Sequence, residues 1–154
     1  MALSGYCSDI KNRWKLRYTL IPYIIAQSRK AISSGAPLLQ ALIFHHPEDK
    51  LCWHIDDEYY FGNDFLVAPV MNSENRRDVY LPEGQWVNFF TGEVLEGGRW
   101  LKDLDVPLDE MPVYVRQGAT IPVYPDEVEC TDEMDLSKSA ELHIDNHFKG
   151  IFKD

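Results

Sequence analysis

Apolar residues recur at helical spacing between Asp9 and Ser34. Six of them fall in one stripe about 80° wide at 100° per residue, and a second apolar face lies beside that stripe. The first stripe comprises Ile10, Trp14, Tyr18, Ile21, Ile25 and Ile32, and the second face comprises Leu16, Leu20, Tyr23, Ile24 and Ala31. This pattern predicts a helix over about residues 9–34 that is buried on two faces. Pro22 falls on its polar side, where we expect a modest kink.

The helix is followed by a turn and an apolar run. Gly35 suits a left-handed helix stop, and Pro37 prevents further helix. Residues 38–44 are then mostly apolar without alternation, which is typical of a strand covered on both faces of a parallel sheet. The sequence therefore predicts a helix, a tight turn and a buried strand, which together form an α/β unit.

Beyond the Pro47-Glu48-Asp49 turn, short segments alternate with turn residues, which is typical of antiparallel sheet. The predicted strands are 65–71, 78–81, 85–90, 94–99, 113–116 and 120–123, with a hairpin turn at Thr91-Gly92. Residues 125–138 resemble an acidic linker, and residues 140–144 are a candidate for one more strand. A small β-sandwich is the expected result.

Composition narrows the possible functions. The 154-residue chain is shorter than the roughly 250 residues of a complete eight-stranded barrel. Fifteen Lys and Arg against twenty-five Asp and Glu give a net charge of −10, which disfavours binding to nucleic acid or to anionic membranes. The sequence contains no membrane-length apolar run, no Gly-rich phosphate loop and no Gly-x-Ser-x-Gly motif. Three cysteines without a metal-binding spacing fit a reducing cytoplasm. We expect no cofactor.

The sequence contains several ordered motifs, of which the main ones are LRYxLxPY at 16–23, IDDxYxFGxDxLVAPV at 55–70, RDVYLPxGxW at 77–86 and PLDxxPVYVRxGxxIP at 107–122. In this order they resemble the C-terminal part of glycoside hydrolase family 31, the α-glucosidases and α-xylosidases. The resemblance covers about residues 13–124. One departure is Gln40, where the family usually has Arg, which questions a charge pairing at the end of that strand.

The resemblance implies a fold that is mainly β with an N-terminal helix: an antiparallel β-sandwich preceded by the final α/β unit of a TIM barrel. Residues 1–50 would be the end of a (β/α)8 barrel, with the helix at about 9–34 and the strand at about 38–44. Residues 51–124 would be the proximal C-terminal β-sandwich, and residues 125–154 an acidic linker and the start of a further segment.

The resemblance also implies a retaining α-glycosidase, in which two Asp residues flank the scissile bond about 5 to 5.5 Å apart. In the family both lie on barrel strands upstream of this segment, and no residue here matches them. The nearest similar string is 53–58, where Ile55 occupies the place of the nucleophile. The chain is therefore expected to contain no catalytic residue, to support the barrel, and to be inactive alone. The alternative is a free-standing carbohydrate-binding β-sandwich.

Asp56, Asp57 and Glu58 could be interpreted as a catalytic acid pair. Adjacent residues on a strand point to opposite faces, so they cannot converge on one bond. Capping of a short turn at Tyr59-Tyr60 is the favoured interpretation.

Aromatic residues bear on the alternative of a carbohydrate-binding module. Trp86, Phe89, Phe90 or Trp100 could stack on sugar rings, but aromatic residues in short strands mostly form the core.

Histidines offer a possible metal site. His143 and His147 flank Asp145 at four-residue spacing, and His45 and His46 are adjacent. Since Asp145-Asn146 disfavours a helix, we expect a solvated tail and no metal.

Without a barrel, the apolar surface of residues 10–44 is expected to recruit a partner: the rest of a glycosidase or a second copy of the chain.

Overall fold

A computed structural model describes residues 14–107, 110–128 and 130–151. These residues form mostly antiparallel strands, with a short helix near the N-terminus. Residues 14–19 are helical and Leu20 is a turn. The helix α1 is Ile21–Ser34, and the strands in chain order are β1 Leu39–Ala41, β2 Tyr59–Phe61, β3 Phe65–Val67, β4 Arg76–Leu81, β5 Gln85–Asn88, β6 Val94–Glu96, β7 Arg99–Asp105, β8 Val113–Arg116, β9 Thr120–Val123 and β10 Ala140–His143. Short 3₁₀ helices are Leu42–Phe44, Lys50–Trp53, Thr131–Glu133 and Leu136–Lys138.

The main sheet has six strands in the order β1-β2-β3-β8-β5-β6, all paired antiparallel. Register divides its side chains between two faces, because Leu66 lies opposite Tyr114 whereas Phe65 lies opposite Val115. We call the face that carries Leu66 the hairpin face, because the two-stranded sheet β4–β7 covers it. The face that carries Phe65 is the helix face, covered by α1 and by β9–β10. The core therefore consists of two layers, one on each side of this sheet.

The N-terminal helix partly follows its prediction. Gly35 ends it at φ 75°, and the Gly35 N–H donates to the Ala31 carbonyl, as expected. Pro22 is buried and not on a solvated side, which corrects that prediction; it lies in the first turn of α1, where a missing N–H costs no helical bond. Trp14 and Ile32 are 56% and 86% exposed. In the described chain the helix is thus covered mainly on its second face, around Tyr23. Residues 9–13 lie outside the described residues.

The strand predicted over 38–44 is wrong in length, direction and cover. Only Leu39–Ala41 is a strand, it pairs antiparallel with β2 at one edge of the main sheet, and Leu39 is 55% exposed. At Leu42 the chain leaves the sheet and enters a 3₁₀ helix. This change of geometry explains the lack of alternation, because Leu42 turns into the core without the two-residue period of a strand.

The remaining strand predictions are mostly confirmed to within a few residues. The Thr91-Gly92 hairpin is present, with Gly92 at φ 73° and its N–H donating to Asn88. Two strands were missed. β2 occupies the predicted Tyr59-Tyr60 turn, and β7, the longest strand, begins where the 94–99 strand was expected to end.

The C-terminal segment returns to the sandwich. β10 pairs with β9, and Ile144 is fully buried in the core of the helix face, where Phe148 and Ile151 also pack. No helix in the described ranges is long and apolar enough to cross a membrane.

Candidate functional site

A buried ion pair links the start of β2 to β4. Glu58 is 3% exposed and Arg77 is 8% exposed. Glu58 Oε1 accepts from the Tyr80 backbone N–H at 2.7 Å and lies 3.4 Å from Arg77 Nη2. Arg77 Nη1 also donates to the carbonyls of Asp57 and Pro69. The pair ties the segment before β2 to the β4–β7 sheet and is closed off from solvent.

Burial controls the charge of Glu58. Desolvation raises the pKa of Glu58 to about 7, although the Tyr80 N–H and Arg77 act in the opposite direction. Glu58 Oε2 is buried without a hydrogen-bond partner, which adds to the cost of its negative charge. Such a carboxyl could hold a proton near neutral pH, but it is buried in this packing and a substrate cannot reach it.

The carboxylates of Asp57 and Glu58 both lie near Arg77 Nη2, which corrects the expectation that adjacent acidic side chains cannot converge: residues 56–58 precede β2, so they are not held to the two opposite faces of a strand. Asp57 is half-exposed and pairs with Arg77 at 3.1 Å, whereas the Glu58 side chain is enclosed. Asp56 is exposed. The capping role is wrong in one respect: the residues that follow form β2 and not a turn, so there is no turn for these side chains to cap.

A second polar group lies at the end of the hairpin face and was not expected as a unit. The His45 ring stacks on Tyr60 with centroids 4.0 Å apart, and His46 Nε2 lies 2.8 Å from the Tyr60 hydroxyl. Arg116 Nη2 donates to that hydroxyl at 3.2 Å, and its guanidinium lies over the rings of Tyr60 and Trp86. Burial, followed by the charge of Arg116, lowers the pKa of both histidines, and that of His45 reaches about 4.

The candidate sugar platforms are mostly core. Trp86 and Phe89 are each 1% exposed. Trp100 reaches the surface, but Lys102 Nζ lies 4.6 Å from its ring centroid and the Tyr80 ring packs against it at 5.2 Å. These neighbours compete with any sugar ring for the indole. Trp53, which the sequence analysis did not consider for this role, is 60% exposed and donates from Nε1 to the Pro47 carbonyl.

The histidines near the C-terminus do not form a metal site. His143 lies on β10 and contacts Thr120 Oγ1 through Nδ1 at 3.1 Å, while Asp145 accepts from the His147 backbone N–H. Both imidazoles are exposed. Within the described residues no group of three His, Cys, Asp or Glu side chains could hold a metal ion.

Gln40 lies beside a shallow groove of about 240 Å³ between the end of α1 and the β1 edge. Its polar lining includes Gln27, Lys30, Gln40 and Asn63. Gln40 Nε2 donates to the Pro37 carbonyl at 2.7 Å. The side chain therefore braces the turn that precedes β1, and it needs no charged partner to do so.

The sequence of this sandwich matches one family over more than half of the chain. The profile described as the glycosyl hydrolase family 31 C-terminal domain matches residues 35–121. The chain belongs to glycosyl hydrolase family 31. The matched range begins ahead of β1, which agrees with the pairing of β1 and β2 in one sheet.

Known family 31 proteins resemble the chain in sequence and in structure. Alpha-glucosidase 2 of Bacillus thermoamyloliquefaciens is 33% identical over 145 residues, which is 94% of this chain and 17% of that protein. An alpha-xylosidase of Saccharolobus solfataricus is 37% identical over 121 residues, 77% of this chain and 16% of the relative. The family 31 alpha-xylosidase structure from Xanthomonas citri superposes with a TM-score of 0.71 at 35% identity, covering 77% of this chain and 13% of that one. The chain thus spans about one sixth of the length of these two relatives.

Long-range pairing explains what sequence reasoning missed. Glu58 is 19 residues from Arg77, and His46 is 70 residues from Arg116. No local spacing indicates either contact. One signal for Glu58 was present in the sequence: it is a charged residue inside the family motif at 55–70. A polar side chain beside a buried strand usually needs a partner.

Proposed function

We propose that this chain is the C-terminal portion of a retaining α-glycosidase that hydrolyses O-glycosyl bonds in α-glucosides or α-xylosides, a reaction of carbohydrate metabolism. In this role the sandwich supports the catalytic barrel and is inactive alone. The observation that carries the proposal is the match of residues 35–121 to the C-terminal domain of a family whose relatives here are about six times longer.

The arrangement of carboxylates supports a structural role. Retaining hydrolysis needs two carboxyl groups about 5 to 5.5 Å apart on an open cleft. In the described chain, the acidic side chains that lie closest to one another around a cation are Asp57 and Glu58 at Arg77, and Glu58 is enclosed by the β4–β7 sheet. A sugar ring cannot enter between them.

Exposed apolar side chains support a partner for the N-terminal region. Trp14, Ile32, Leu39 and Phe44 are 56%, 86%, 55% and 66% exposed. Burial of one large apolar side chain contributes about 1.5 to 3 kcal/mol. Covering these four by the remainder of a glycosidase would therefore stabilise the assembly by several kcal/mol. Residues 1–50 would pack against the barrel in this arrangement.

The same proposal places the protein in the cytoplasm. Cys52 is a buried free thiol and Cys130 an exposed one, and an exposed thiol persists best in a reducing compartment. Fractionation of cells that express the full-length gene product tests this: recovery with the secreted or periplasmic fraction contradicts it.

Activity of the purified chain provides the direct test. We expect hydrolysis of aryl α-glucosides and aryl α-xylosides at the buffer rate, because no residue of the sequence matches the two catalytic Asp residues that would stabilise an oxocarbenium-like transition state. Turnover that copurifies with the chain and is lost in Asp57→Asn, but not in the exposed control Asp126→Asn, would falsify the proposal.

A further inference from the structure

Residues 42–54, which we call the 42–54 loop, lie against the hairpin face through a small set of contacts. Leu42 and Cys52 enter the core with 0% and 1% exposure. The other attachments are polar and aromatic: His45 and His46 contact Tyr60, and the Tyr80 hydroxyl of β4 donates to Asp49 Oδ2. Between these anchors the loop presents its large apolar side chains to solvent: Phe44, Leu51 and Trp53.

The hydrogen bonds fix the protonation state of His46. The Tyr60 hydroxyl accepts from Arg116 Nη2 at 3.2 Å and lies 2.8 Å from His46 Nε2. Arg116 Nη2 also lies 3.4 Å from His46 Nε2, and because a guanidinium can only donate, Nε2 makes this contact as an acceptor and the neutral ring holds its proton on Nδ1. A proton added at Nε2 would place a cation 3.4 Å from the Arg116 guanidinium nitrogen and remove the acceptor of the tyrosine.

His45 is equally unable to accept a charge in place. Its Nε2 is buried and has no hydrogen-bond partner within the described structure. A proton there would be a buried donor and a buried charge, both unsatisfied, on a ring stacked against Tyr60. The Arg116 Nε atom beside this group is also buried without a partner.

The charges around the two imidazoles mostly oppose protonation. Arg116 of β8 faces both rings, and Lys30 of α1 acts on His45 in the same direction. The carboxylates of Asp49 and Glu83 favour protonation of His46, but burial and Arg116 outweigh them and lower its pKa. No ion pair with Arg116 is present among the described residues, and the Asp64 carboxylate, whose pKa is raised by burial and lowered in part by the charge of Arg116, compensates that charge only from a longer distance.

We propose that His45, His46, Tyr60 and Arg116 form an acid-sensitive latch: protonation of the two imidazoles releases the 42–54 loop from the hairpin face while the six-stranded sheet stays folded. Release withdraws Leu42 and Cys52 from the core and re-aims the exposed Phe44 and Trp53. The apolar surface that the chain offers to any partner would thus change between neutral and acidic conditions. This inference does not depend on the glycosidase assignment.

The test places a permanent charge at the latch at neutral pH, which avoids the titration of carboxylates. His46→Lys carries the charge, and His46→Gln removes the ring but keeps a neutral acceptor for Tyr60. Hydrogen exchange is followed at the loop amides of His45, Cys52 and His54, which donate to loop carbonyls. The amides of Ala68 and Phe89, which bond within the sandwich, report on the sheet.

We expect the loop amides of His46→Lys to lose protection by about tenfold or more, while those of His46→Gln stay within about threefold of the parent chain. The second substitution Arg116→Gln should restore protection to His46→Lys, because it removes the opposing charge. In the parent chain, acidification to about pH 4 should open the loop before the sheet. His54 is an exposed histidine of the same loop, and His54→Asn should not shift the pH at which the loop opens. Any of three results overturns the proposal: equal exchange in the Lys and Gln variants, joint loss of loop and sheet protection, or failure of Arg116→Gln to restore protection.

Discussion

Replacement of Trp86 by alanine provides a quantitative test of the hairpin face. Trp86 is 1% exposed, and its Nε1 donates to the buried Pro82 carbonyl at 2.8 Å. Its ring supports Tyr60 and the Arg116 guanidinium. Truncation of a buried Trp costs about 3 to 5 kcal/mol, and the Pro82 carbonyl left without a donor adds about 1 kcal/mol or more. Because whole domains are stable by only about 5 to 15 kcal/mol, Trp86→Ala should lose a large part of the free energy of unfolding of the chain.

A graded series separates packing from hydrogen bonding. Trp86→Phe fills most of the space but loses the bond to Pro82, so we expect a loss of about 1 to 2 kcal/mol. The matched control neutralises the exposed acidic residues Asp126, Asp132 and Glu133, which should change the free energy of unfolding by less than about 0.5 kcal/mol. Urea denaturation followed by far-UV circular dichroism measures all three, since the signal does not depend on the tryptophan removed. A larger loss in the charge variant than in Trp86→Ala would refute this reasoning.

Two further predictions concern charge and association. Glu58→Gln tests the buried ion pair. Because the folded-state pKa of Glu58 is raised to about 7, the contribution of Glu58 to the free energy of unfolding is fully present below the unfolded pKa of about 4.5 and is lost as pH rises through about 7. The stability of the Gln variant relative to the parent should therefore increase across this window by up to about 3 kcal/mol. Urea midpoints at several pH values check it, and a difference that is constant with pH contradicts it. The chain should also self-associate at low micromolar concentration through residues 10–44. The double variant Ile32→Glu, Leu39→Glu should therefore reduce light scattering more than the control Met71→Glu, which changes an 80% exposed residue outside that range. A strict monomer with protected amides in residues 14–44 would exclude this association.

Local patterns were sufficient for the strands whose side chains alternate against one core. The segment 113–116 was predicted with its observed bounds because Val113 and Val115 face one layer and Tyr114 the other. β7 was missed because its two inward residues, Leu101 and Leu104, are three positions apart. Its pairing with β4 contains an irregularity between Arg77 and Val79, and Asp103 has a positive φ. A bulge of this kind breaks the two-residue period on which a strand prediction depends.

The latch and the buried ion pair could not be predicted for a different reason. Each joins residues that are distant in sequence: the latch depends on the order of strands in the main sheet, and the ion pair on the packing of the β4–β7 sheet against it. Tyr60 meets Arg116 only because β3 separates β2 from β8 by one strand, so that both side chains lie on the hairpin face. Periodicity indicates which face a residue occupies, but it does not identify the strands that share that face.

The position of β8 between β3 and β5 has a consequence for how the chain folds. The hairpins β2–β3 and β5–β6 close through short connections, but they join only when β8 inserts between them. Leu66 must therefore wait for Tyr114, 48 positions later, before its strand gains a second neighbour. Closing that long loop adds an entropic cost that the local hairpins do not have. A chain that ends before residue 113 lacks the strand that joins β3 to β5, so each of these two strands has an unpaired edge on that side.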